Sequence, residues 1–152
     1  GEHHGPDAYK ERALIGAFLA TFAPTDTACR VQDILTAVGF LHARRDMTGR
    51  ITLAGSGDAG IWCLFAAAAD TAIAAVAVDI RKFPLDDDTA WEKRCYIPCI
   101  RSAGDVRTAL ALIAGRPCAV YGVAGDTKRL DWLGAKAVPA AADTAELAEA
   151  LH

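Results

Sequence analysis

The run Ile51-Thr52-Leu53-Ala54-Gly55-Ser56-Gly57-Asp58-Ala59-Gly60, leading into the Ala-rich segment Ile61 to Ala69, constrains the fold more than any other part of the chain. Ile51 to Ala54 is apolar, bounded by glycines and too short for a helix, which suits a buried parallel strand. Ile61 to Ala69 reads as a helix by its Ala and Leu content. Ile73 to Asp79 is then a β-branched, apolar strand that ends on a carboxylate. Strand, glycine turn, helix and strand in that order predict a parallel pair joined by a helical crossover.

The flanking sequence extends the alternation. Leu14, Ile15, Phe18, Leu19 and Phe22 recur at helical spacing, predicting a helix over residues 8–22 that Pro24 breaks. Thr25 or Asp26 can cap a second helix carrying Val31, Ile34, Leu35, Val38 and Leu41, which Gly49 ends. After Asp79 comes a polar excursion through Lys82, Pro84 and Asp86-Asp87-Asp88, with Trp91 and Tyr96 embedded in it. A helix from Asp105 to Ala114 and a strand from Pro117 to Val123 follow. A final unit has a helix near Lys128 to Leu133, a strand at Ala135 to Val138 and a closing helix capped by Asp143 or Thr144. The 152 residues suffice for one compact domain and are few for two. The expectation is a single α/β domain: helices within 8–45, a strand and turn at 50–60, further α/β units over 61–152, and a parallel sheet of about four strands with helical crossovers.

A turn as sharp as the one after Ala54 needs small residues two positions to either side of its apex. With Gly57 at the apex the flanks are Gly55 and Ala59, both small; with Ser56 there they are Ala54 and Asp58, and a carboxylate suits that packed position poorly. The first register fits better. In it the segment resembles the nucleophile elbow of the α/β-hydrolases. Other patches agree: Arg30-Val31-Gln32-Asp33-Ile34 with Phe40-Leu41, Tyr96-Ile97-Pro98, Asp105-Val106-Arg107, and Leu112-Ile113-Ala114-Gly115-Arg116-Pro117-Cys118. In that order they resemble the C-terminal half of acetylxylan-esterase-like and dienelactone-hydrolase-like proteins, across nearly the whole chain.

The resemblance implies a serine esterase and at once exposes three gaps. Gly57, at the nucleophile position, has no side chain to attack an ester carbonyl. The catalytic acid should follow the strand Pro117 to Val123, where Asp126 stands. The histidine should follow the strand Ala135 to Val138, where the sequence reads Pro139-Ala140-Ala141-Ala142; the next histidine is His152. The family's oxyanion loop would lie before Gly1. Ser56, Gly57, Asp58 and Asp126 are therefore the candidate catalytic positions of a degenerate hydrolase acting as a structural or binding module. A triad works as a unit, so losing members forfeits most of the benefit of the rest. Ser56 would need a histidine, and His42 reads as a solvated helix end while His3 and His4 lie near the chain start. The alternative is an esterase completed by a missing N-terminal half. A further alternative is a nucleotide-binding domain, since Gly55, Gly57 and Gly60 match Gly-x-Gly-x-x-Gly with Asp79 near the spacing of a ribose-binding acid; two preceding helices and the Asp58 carboxylate beside the phosphate argue against it.

No cofactor and no metal is expected. Asp86 to Asp88 reads as a solvated loop, and Trp62, Trp91, Trp132 and Tyr96 read as packing residues. The odd cysteine count, Cys29, Cys63, Cys95, Cys99 and Cys118, argues against a disulfide framework. Cys95 and Cys99 stand one helical turn apart without the further ligands of a zinc site. Unpaired cysteines lean toward a cytoplasmic setting; nothing else in the sequence bears on localisation, and Gly1 in place of Met reads as a trimmed start. A net charge of −3 with scattered basic residues argues against nucleic acid, and no apolar run reaches the ~20 residues of a membrane span. The strand Ile51 to Ala54 would form an open sheet edge, and most helices would fall on one face. The expected partner is a second copy, or the missing N-terminal half; a small-molecule ligand is not identified by the sequence.

Overall fold

The computed structural model describes residues 23–124, 130, 135–138 and 140–151. The sequence-predicted helix over 8–22, and nearly all of the one near Lys128 to Leu133, lie outside these. Helix α1 (Asp26–Ala43) is capped by Thr25, whose hydroxyl accepts from Ala28 N. It ends at Ala43, well before Gly49. Strand β1 runs from Ile51 to Ser56, two residues past Ala54, because Gly55 and Ser56 still pair with β2 (Ile73–Asp79). Helix α2 (Asp58–Ala69) begins three residues earlier than its Ala-rich run, directly after Gly57. The polar excursion holds a short helix, α3 (Asp88–Arg94), capped by Asp87. Then come α4 (Asp105–Ile113), β3 (Cys118–Tyr121), β4 (Lys136–Ala137) and α5 (Thr144–Glu149). Helix α5 starts on a reciprocal capping box between Asp143 and Glu146.

The four strands are parallel, in the order β1-β2-β3-β4. Neighbouring strands are thus also consecutive in sequence, and the described sheet never reverses its order. It lacks the crevice at which doubly wound sheets bind dinucleotides. Ile51 pairs with Ile73 but Thr52 with Ala75, so Ala74 is an extra residue in β2. That bulge lets Ile73 and Val76, three apart, join the same core cluster where strict alternation would separate them.

That core fills one face. Helix α2 packs on β1, β2, α1 and α4, and its alanines let the backbones approach closely. In α4 the apolar positions Val106, Ala109, Leu110 and Ile113 are buried at helical spacing. Among the described residues the other face is sparsely covered: Leu147 of α5 packs on Ala77 and Ala119, while Thr52, Ala54 and Ser56 of β1 are exposed. Arg116 ties the layers together, donating to the carbonyls of Ala67, Asp70 and Ile73 at 2.6, 3.1 and 2.7 Å. These are the end of α2 and the start of β2, where helix carbonyls would otherwise lack partners.

Candidate functional site

The C-terminal ends of β1 and β2 bring the candidate residues together. Gly57 alone separates the strand from the helix, at φ 65° and ψ −134°, a backbone state that side chains rarely adopt. Its N–H donates to Asp79 O at 2.7 Å, which fixes the turn to the end of β2. The small neighbours are required by space. A Cβ at Gly55 would stand 2.8 Å from Ala59 O and 2.9 Å from Cys63 Sγ, and one at Gly60 would stand 3.2 Å from Asp79 O.

Three side chains surround the turn. Arg81 Nε donates to Ser56 Oγ at 3.0 Å. Arg94 Nη2 donates to Asp58 Oδ1 at 2.6 Å and its guanidinium lies 4.8 Å over the Phe83 ring. Asp79 is buried, and its Oδ1 accepts from Arg81 N at 2.8 Å. Arg81 and Lys82 both hold positive φ, at 47° and 56°, with Lys82 N donating to Gly122 O at 2.6 Å. A tandem left-handed turn of two non-glycine residues is costly, and here it carries Arg81 across the top of Gly57. Sequence reasoning missed Arg81 and Arg94, because nothing in the sequence signals that a loop doubles back.

The structure places Ser56, Gly57 and Asp58 at one turn; Asp126 lies outside the described residues, as do His3, His4 and His152. His42 is exposed in the last turn of α1. Asp79, the acid a dinucleotide fold would aim at a ribose, is turned into the backbone.

The acidic run is solvated but engaged. Asp105, 3% exposed, accepts from both Arg101 and Arg107. Those arginines reach on to Asp88 at 2.7 Å and Asp86 at 2.6 Å. Hydrogen bonding to Asp88, ahead of the Asp105 charge, holds the Arg101 guanidinium above its ordinary value. Carboxylates committed to arginines are poor metal ligands, and no group of three or more metal-ligating side chains forms among the described residues. Cys95 is buried and Cys99 exposed, so the two do not converge. Burial pushes the Cys95 thiol up to about 12, with the Asp58 charge adding to it. Trp91 packs edge-on to Phe83 and donates Nε1 to Leu85 O at 2.9 Å. Tyr96 departs from the packing expectation: it is exposed and, with Ile97 and Ile100, lines a shallow groove of about 230 Å³. A second groove, of about 480 Å³, lies at the other end of the strands between Arg50, Thr52, Ala75, Pro117 and Leu151. Neither groove is lined by Ser56, Gly57 or Asp58.

No described helix is long and apolar enough to cross a membrane. No family model matches the chain, and no curated protein or solved structure is detectably similar to it.

Proposed function

We propose that this chain is an α/β-hydrolase-like domain without esterase chemistry, serving as a structural or binding module. One observation carries the reading: the residue at the apex between β1 and α2 is a glycine, and the Arg81 side chain lies over it. An ester bound there would meet no nucleophile. Ser56, one residue earlier, accepts a hydrogen bond from a guanidinium, which cannot take up a proton. The sole imidazole among the described residues, His42, is on α1, whose end leads into the start of β1. Ser56 is at the far end of that strand, roughly 17 Å further on at the rise of an extended chain. Among the described residues no imidazole is therefore in reach of Ser56 to act as general base.

The test is hydrolysis of p-nitrophenyl acetate and butyrate by the purified chain, beside Ser56→Ala. No rate above buffer is expected from either. A rate that survives further purification and vanishes in Ser56→Ala would overturn the proposal in favour of an esterase.

A further inference from the structure

Strand β1 pairs with β2 along one side and, among the described residues, with no strand along the other. The bond from Gly57 N–H to Asp79 O fixes which groups face outward. Residue 57, and by alternation 55 and 53, turn to β2, so Thr52, Ala54 and Ser56 direct their N–H and C=O groups away from the sheet. Of these, the Ala54 carbonyl has a weak contact from the Cys63 thiol at 3.8 Å. The three side chains are small and exposed. Natural edges are blunted by proline, lysine or a bulge; β1 has neither residue, and the extra residue of its bulge lies in β2.

We propose that β1 pairs antiparallel with β1 of a second copy of this chain, with Ala54 on the two-fold axis. The edge is its own complement. Its outward donors and acceptors are disposed evenly about Ala54, as an isologous contact requires. In this register Ala54 faces Ala54 of the partner subunit and Thr52 faces Ser56 of the partner subunit, a ladder of about six hydrogen bonds that joins the two sheets.

Sedimentation of the chain at micromolar concentration, beside Ala54→Pro, tests the proposal. Proline is tolerated on an edge whose N–H faces solvent, so the variant should keep its circular dichroism and lose the dimer. A compact wild-type monomer would overturn the idea, and so would a dimer that persists in folded Ala54→Pro. If that variant unfolds, cross-linking decides. In a Cys29→Ser, Cys99→Ser background, a short bis-maleimide should link Ala54→Cys into a dimer, since the two facing residues have Cα atoms about 5.5 Å apart, too far at Cβ for an unstrained disulfide and within reach of the linker. Thr52→Cys, which faces Ser56 of the partner subunit, should stay unlinked. Equal linking of the two variants, or of neither, would refute the register.

Discussion

Arg81 and Ser56, twenty-five residues apart in sequence, are joined at 3.0 Å across the Gly57 turn. A Cβ added at Gly57 would meet nothing closer than Arg81 Cδ at 4.0 Å. Gly57→Ser should therefore be penalised by backbone strain rather than by a clash, at about 1–3 kcal/mol. Urea denaturation measures that loss. On the proposed reading the variant should show no rate on p-nitrophenyl esters, because among the described residues no imidazole stands beside a hydroxyl at the apex.

Two other glycines should respond with opposite signs. Gly55→Ala forces a methyl against Ala59 O and Cys63 Sγ, and overpacking of this kind costs roughly 1–3 kcal/mol. Gly39 is exposed in mid-helix α1 with nothing within 4 Å. Gly39→Ala should stabilise by about 0.5–1 kcal/mol by removing backbone freedom from the unfolded chain. Thermal unfolding of the pair reads both signs at once.

Asp105 is the anchor of the arginine clip. Asp105→Ala leaves Arg101 and Arg107, each about one-third exposed, facing a vacated buried carboxylate site. Roughly 2–4 kcal/mol should be lost, toward the lower end of what breaking a buried ion pair costs. Asp105→Asn should lose less, since Asn tolerates the residue's φ of 50° and keeps an acceptor for Arg107 N. Chemical denaturation of both variants checks the order.

Three thiols should weaken the fold in alkali. Burial raises Cys63 and Cys118 to about 11 and Cys95 to about 12, against 9.0 for a free thiol. Above pH 9 the unfolded chain releases these protons while the folded chain keeps them. These contributions should therefore be intact below pH 9 and be lost from pH 9 to about 11 for Cys63 and Cys118 and to about 12 for Cys95, by up to about 1.4 kcal/mol per pH unit for each thiol. Denaturation at pH 8 and 10.5 measures the fall, and Cys63→Ala should shrink it. At pH 8, a disulfide reagent should modify the exposed Cys29 and Cys99 first and leave Cys63 and Cys95 untouched until the chain unfolds.

The parallel α/β architecture was legible in the sequence because its signals are local. Thr25 caps α1, the apolar period of α4 selects its buried face, and the run Ile73 to Asp79 is a strand in the structure at the same bounds. The turn at Gly57 could be placed because a strand that passes into a helix through one residue leaves a mark of small side chains. Boundaries were less legible. Strand β1 continues through Gly55 and Ser56 because β2 offers partners there, a fact of pairing that no propensity of Gly or Ser encodes. Helix α3 was invisible because its apolar content reduces to Trp91, whose burial depends on Phe83 and Leu85 arriving from the preceding loop.

What the sequence alone determined is that the turn at residue 57 carries no side chain, since a glycine lacks one in any fold. Only the tertiary structure decided what stands in that space. The tandem left-handed turn at Arg81 and Lys82 lays the Arg81 side chain along Gly57 and onto Ser56, and Arg101 and Arg107, both bound to the nearby Asp105, reach back 13 and 21 residues to Asp88 and Asp86. Both depend on residues far apart in the chain. Their positions follow from the path of the backbone between them, which local sequence preferences do not specify.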